Sequence, residues 1–233
     1  MFYAHQLVWK ISKRKKELFM YGVVDIGSNT IRLVLYKVEN NTVKQMLNKK
    51  SMAGLAGYIS GRKMTPKGIG KAVEVLRECR QALDNIQTQE VFVFATASLR
   101  GIDNTSEVLQ AIWEQCGFEV QVLSGKEEAT FDYYGAVHSL QLTDGLLADI
   151  GGGSTELVFY KDKEILFSES LPIGSLNMYT RFVSGIVPTR QELLDIEKET
   201  LSQLKKLRLP TKGLSTEKLC GVGGTLRASY KLY

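Results

Sequence analysis

A thirteen-residue segment occurs twice in this chain. Asp25–Lys37 and Asp149–Lys161 align without a gap, and seven positions are identical: Asp25/Asp149, Ile26/Ile150, Gly27/Gly151, Leu33/Leu157, Val34/Val158, Tyr36/Tyr160 and Lys37/Lys161. Each copy is entered by a short apolar run, Gly22–Ile26 or Leu146–Ile150, that reads as a buried strand. Each is left by a β-branched, partly alternating run, Thr30–Val38 or Thr155–Tyr160, that reads as a second strand. Between them lies a turn of small residues, Gly27-Ser28-Asn29-Thr30 or Gly151-Gly152-Gly153-Ser154-Thr155. Two such units in register point to a duplicated structural element.

Small turn residues let backbone N–H groups converge on one anion without obstruction. The hydroxyls of Ser28, Thr30, Ser154 and Thr155 are further donors. Asp25 and Asp149, at the strand ends, can hold a divalent cation directly or through water. Facing copies would grip a chain of phosphates from both sides. One copy alone is equally an ordinary glycine-rich β-turn; the pair is harder to explain so. The copies differ where Arg32 stands opposite its twin Glu156, a base in one and an acid in the other, which suits an asymmetric site.

Between the repeats, apolar residues at helical spacing (Ile69, Ala72, Val73, Leu76, Leu83 and Ile86) predict a helix over Pro66–Ile86, with the proline in its first turn. Val91–Ala97 reads as a strand. Ser106–Cys116 reads as a helix with Ser106 as N-cap and Gly117 as its stop. Phe118–Leu123 reads as a strand and Lys126–Leu140 as a helix. After the second repeat, Gln191–Leu207 reads as an amphipathic helix, and Leu219–Val222 as a short apolar run entering Gly223-Gly224. This order predicts an α/β fold with a partly parallel sheet. The divisions expected are a basic extension over residues 1–20, a first domain over 21–142 and a second over 143–233, with the boundary near Leu140–Gly145.

Hydrophobic residues make up 44% of the 233 and charged residues 24%, as in ordinary globular domains. No apolar run reaches the roughly 18–20 residues that cross a bilayer, so no membrane partner is expected. Cys79, Cys116 and Cys220 are widely spaced, without metal-ligand pairing, and read as reduced thiols of a cytoplasmic protein. Much of the net charge of +5 comes from Lys10, Lys13, Arg14, Lys15 and Lys16, an arm that either attracts a polyanion or is merely solvated. The only histidines are His5 and His138, away from the motifs, so a phosphohistidine intermediate is not expected.

The two Asp-Ile-Gly hairpins resemble those of the actin, Hsp70 and sugar kinase superfamily. Within it, DIGSNTIRL (Asp25–Leu33), ATASLR (Ala95–Arg100), SGKEEA (Ser124–Ala129) and DIGGGSTEL (Asp149–Leu157) together resemble the Ppx/GppA phosphatase family, over roughly Met20–Tyr230. The resemblance implies two actin-like (ribonuclease H-like) α/β domains with a cleft between them, the second expected to be incomplete. It implies hydrolysis of terminal phosphoanhydride bonds in inorganic polyphosphate or guanosine pentaphosphate, magnesium or another divalent cation, and a homodimer; nucleic acid is not an expected partner. Glu128 matches the family's catalytic glutamate, which orients and deprotonates water. Asp149 and Glu156 match acids of the metal and the water, Asp25 is the counterpart in the first domain, and Arg100 matches an arginine that contacts phosphate. Gly27, Ser28, Asn29, Thr30 and Arg32, with Gly152, Gly153, Ser154 and Thr155, match the phosphate cradle.

Without the resemblance, Glu127 and Glu128 also read as first-turn acids complementing a helix dipole, and Arg100 as a loop arginine. Gly221–Thr225 resembles the family's later GGT segment and is given no catalytic role. LPIGSLN (Leu171–Asn177) lacks the arginine that the family commonly carries near Asn177, and the chain ends soon after the GGT-like segment. A superfamily ATPase or kinase is the alternative, though no adenosine pocket or acceptor-hydroxyl base is evident. A catalytically weak protein that binds polyphosphate or an alarmone is another.

Overall fold

The computed structural model describes residues 19–39, 42–86, 88–140, 142–208 and 216–232, and the side chains of 138–140 are not described. The basic arm, His5 and the His138 side chain lie outside the described residues. The chain divides into two compact units between Ser124 and Gly125.

The first unit opens with three antiparallel strands, β1 (Phe19–Ile26), β2 (Thr30–Glu39) and β3 (Thr42–Met52). A 3-10 turn, Leu55–Tyr58, and a small hairpin of β4 (Ile59–Ser60) and β5 (Lys63–Met64) lead into the helix Pro66–Ile86. Next come β6 (Glu90–Ala95), a one-turn helix Ala97–Arg100, the helix Thr105–Cys116 and β7 (Val120–Val122). The sheet order is β3-β2-β1-β6-β7, with β6 parallel to β1 and β7 parallel to β6. Alternation along the strands sends Val24, Ile26, Ile31, Leu33 and Leu35 to one face. There they form one core with Val73, Leu76 and Leu83 of the first long helix and Val108 and Ile112 of the second. Cys79 and Cys116 are free thiols within this core.

The second unit starts with the helix Gly125–Leu140, then β8 (Gly145–Ile150), β9 (Thr155–Lys161) and β10 (Glu164–Leu171). The helices Ser175–Phe182 and Arg190–Lys205 follow, then β11 (Leu219–Val222) and the helix Gly223–Tyr230. The sheet order is β10-β9-β8-β11; the first three strands are antiparallel and β11 is parallel to β8. Both sheets thus begin with a three-strand meander whose first strand gains a parallel neighbour, the duplicated unit that the repeat implies and the α/β pattern that the family resemblance leads one to expect.

Three details differ from the sequence expectations. The division falls before Gly125, not near Leu140–Gly145, because the helix Gly125–Leu140 packs on β8, β9 and β10, with Tyr133 and Tyr160 ring centroids 5.1 Å apart. The helix expected from Ser106 starts at Thr105 after Asn104, whose side chain is engaged elsewhere, on the backbone N–H and carbonyl of Met64. The strand expected through Ala97 stops at Ala95, where Ala97–Arg100 turns into a helix. Gly117 ends its helix as expected, with φ 62° and its N–H on the Trp113 carbonyl. No helix among the described residues is long and apolar enough to cross a membrane.

Candidate active site

The structure repeats the turn as faithfully as the sequence does. In the first unit Asp25 pairs with Arg32 and Ile26 with Ile31; in the second Asp149 pairs with Glu156 and Ile150 with Thr155. Gly27 N–H donates to the Thr30 carbonyl at 3.0 Å, and Gly151 N–H to the Ser154 carbonyl at 2.9 Å.

Both turns are fastened through the same two carbonyls. The Ser28 carbonyl accepts from Ala56 N–H (2.9 Å), and that of Asn29 from Ala53 and Gly54 N–H (3.0 and 2.8 Å). Their aligned counterparts are Gly152 and Gly153. The Gly152 carbonyl accepts from Leu176 and Asn177 N–H, both at 3.0 Å, and the Gly153 carbonyl from Asn177 Nδ2 at 2.8 Å. A trans peptide directs its C=O and N–H oppositely. Tying down the Ser28 and Gly152 carbonyls therefore turns the N–H groups of Asn29 and Gly153 away from the fastening, as an anion cradle requires.

In the second unit the fastening is the N-terminus of the helix Ser175–Phe182. Asn177 Oδ1 accepts from Gly174 N–H at 2.8 Å while its Nδ2 holds Gly153, so one side chain joins the cap to the turn. A Cβ at Gly174 would lie 2.6–2.7 Å from backbone atoms of Gly152 and Gly153, which only glycine avoids. Near where the family resemblance leads one to look for an arginine, Asn177 thus holds the turn.

The hydroxyls are less available than the sequence suggests. Thr155 Oγ1 donates to the Ile173 carbonyl at 2.6 Å, so its proton is committed. Ser154 is 4% exposed, and its side chain hydrogen-bonds Glu156. Arg100 donates to the Leu123 carbonyl at 3.1 Å within the first unit. Arg32, opposite Asp25, partly offsets the burial that raises the Asp25 carboxyl above its usual range.

Four acids gather in the second unit. Glu128 lies in the first turn of the helix Gly125–Leu140 and is 8% exposed; Asp132, one turn on, is 3% exposed. Glu156, 2% exposed on β9, pairs with Asp149 at the end of β8. Burial, then the Glu128 charge, pushes the Glu156 carboxyl up to about 8. Burial, then the charges of Asp149, Glu156 and Glu128, raises Asp132 well above the ordinary carboxylate range, and its Oδ2 is buried without a hydrogen-bond partner. Gly223, with φ 84°, opens the helix Gly223–Tyr230 against Asp149: a side chain there would overlap Asp149 Oδ1. The GGT-like segment thus buttresses an acid, with the positive end of its helix against the Asp149 carboxylate.

Sequence reasoning missed Asp132 and the Gly223 contact. The signal for Asp132 was its spacing four residues after Glu128; the pairing of β11 with β8 that brings Gly223 to Asp149 leaves no local mark.

A buried group of carboxylates with an unpartnered oxygen is costly without a proton or a cation. Hard oxygen donors suit Mg²⁺. Among the described residues no three His, Cys, Asp or Glu converge to hold a metal directly. The donor set therefore fits a cation bound through one or two carboxylates, with water and ligand oxygens completing its shell.

Residues 33–233 match the sequence model of the Ppx/GppA phosphatase family. Among solved structures, the chain is similar to a Ppx/GppA family member from Aquifex aeolicus, at 25% identity and a TM-score of 0.72. That match covers 93% of this chain and 71% of the other. An exopolyphosphatase from Cytophaga hutchinsonii matches at 25% identity with a TM-score of 0.85, covering 91% of this chain and 69% of that one.

Proposed function

The chain belongs to the Ppx/GppA phosphatase family, and we propose that it hydrolyses the terminal phosphoanhydride bond of inorganic polyphosphate. One observation carries this reading: the buried carboxyls of Glu128, Asp132 and Glu156 group with Asp149, and Asp149 and Glu156 lie on the two strands joined by a glycine turn whose carbonyls are tied back. Such a site binds phosphate oxygens through N–H groups and offers a base for water.

In this scheme Gly152 and Gly153 hold the terminal phosphoryl group by backbone N–H. The Gly27–Thr30 turn, built alike, is assigned the same task within its own unit. Glu128 orients a water molecule and takes its proton as the water oxygen bonds to the terminal phosphorus. The bridging P–O bond breaks, and its electron pair leaves with the shortened chain. Asp149 and Glu156 would hold Mg²⁺ in the second unit, a cation that would supply charge neutralisation at phosphate oxygens, and Asp25 is assigned the equivalent task within its own unit. Arg32 and Arg100 are assigned to phosphate contacts.

The exopolyphosphatase likeness in Cytophaga hutchinsonii favours polyphosphate over guanosine pentaphosphate. The test is phosphate release from polyphosphate, guanosine pentaphosphate and ATP, each with Mg²⁺ and with chelator. The reading expects magnesium-dependent release from polyphosphate. Release from ATP with polyphosphate inert would replace it with an ATPase, and tight binding of polyphosphate without turnover would replace it with a sensor.

A further inference from the structure

Ser170 has no part in the scheme above, yet the fold sets it beside two of the acids. β9 and β10 pair so that Ser170 stands directly opposite Glu156, and its hydroxyl donates to Glu156 Oε1 at 2.7 Å. Glu156 is 2% exposed, so bulk water does not compete for that bond. Ser170 also packs on Gly125, the first residue of the helix that carries Glu128. A Cβ at Gly125 would overlap Ser170 Cβ and lie 2.9 Å from its Oγ. One small residue therefore touches the Glu156 carboxyl and the start of the Glu128 helix together.

The duplicated sheets give an internal comparison. The row across the second sheet reads Asp149, Glu156, Ser170; the same row across the first reads Asp25, Arg32, Lys50. A compact hydroxyl in third place accompanies the row with Glu156 in second place, and a long cation accompanies the row with Arg32 there.

We propose that Ser170 is a positioning residue, which fixes the Glu156 carboxyl against the helix bearing Glu128 through one hydrogen bond and one close contact. The proposal rests on the polyphosphate hydrolysis assigned above. Ser154 also bonds Glu156, from the turn side. Removing Ser170 leaves the carboxyl held at one end only, free to rotate by a fraction of an ångström, a displacement to which positioned catalysis is sensitive. The phosphate-binding N–H groups lie on another segment, so the loss falls on turnover and not on binding.

The experiment measures phosphate release from polyphosphate by the full chain with Mg²⁺, in the wild type, Ser170→Ala, Glu156→Ala and the double variant. Ser170→Ala is expected to lower kcat roughly 10–100-fold, as loss of a supporting hydrogen bond does at comparable sites. KM should stay within about two-fold. In the Glu156→Ala background the same substitution should cost nothing more, because its target is gone. Far-UV circular dichroism and the unfolding midpoint check the fold; should Ser170→Ala fail to fold, Ser170→Cys keeps the volume with a weaker donor and takes its place. An active wild type with an equally active Ser170→Ala overturns this inference alone. So does an equal loss with and without the Glu156 side chain. A wild type that releases no phosphate from polyphosphate overturns the functional reading and this inference with it.

Discussion

Glu156→Gln should stabilise the protein at alkaline pH in the absence of divalent cations, by an amount that grows with pH. Burial and Glu128 raise the Glu156 carboxyl from the ordinary 4.5 to about 8. The folded state thus keeps a proton that the unfolded chain releases above pH 4.5. Between those values unfolding releases a proton, so stability falls as pH rises, by ~1.36 kcal/mol per pH unit for one such group. Below 4.5 the contribution is whole; above about 8 it is gone. Over the interval of roughly 3.5 pH units the loss approaches ~5 kcal/mol as an upper bound. Glutamine cannot ionise, yet its Oε1 still accepts the Ser170 hydrogen bond. The variant should therefore escape this loss, and the gap should reach on the order of 10 °C in unfolding midpoint at pH 9. Asp132 titrates in the same direction and is common to both proteins, so the wild-type slope is reduced in the variant rather than abolished. The assay is thermal unfolding by circular dichroism at pH 5, 7 and 9 in chelator, repeated with Mg²⁺, which should narrow the gap by favouring the ionised wild-type carboxylate. A variant that tracks the wild type in parallel across this range would refute the buried, raised carboxyl.

Other substitutions probe the remaining parts of the site. Glu128→Ala should leave the unfolding midpoint near that of the wild type while phosphate release falls by roughly 10²–10⁴-fold, the usual contribution of a general base. Gly174→Ala drives a methyl into the Gly152–Gly153 backbone and should cost about 1–3 kcal/mol, read by urea unfolding. Asn177→Ala removes the bonds to Gly153 and Gly174 and should cost about 1–3 kcal/mol; it should also raise KM for polyphosphate, because the slackened turn no longer holds its N–H groups in place.

The duplication was plain in the amino-acid order because each copy is local: thirteen residues contain both strands and the turn, and the observed registers of Asp25 with Arg32 and Asp149 with Glu156 follow directly. Glu128 and Glu156 were legible through their motifs, and the structure places both in one acidic group. What fastens the turns was not legible. Asn177 reaches Gly153 across 24 positions and Gly223 meets Asp149 through a parallel strand pairing, and neither leaves a periodic trace. β3 was missed because its side chains are mostly exposed and polar, without the alternation that marks a half-buried strand. The division of the chain was misplaced for a related reason. The helix Gly125–Leu140 follows the first domain in sequence, but its apolar face, Tyr133 included, matches the second sheet. The hydroxyl of Thr155 was read as a phosphate donor from residue type alone; the Ile173 carbonyl that engages it comes from a later strand end.

The two turns share a shape but not a strap. One is cinched by the stretch Ala53–Ala56, the other by Ser175–Asn177, and these stretches have no sequence in common. Loosening one strap therefore leaves the other buckled. Slackening one turn alone would need changes in only a handful of residues behind a single loop, leaving the acidic group as it is.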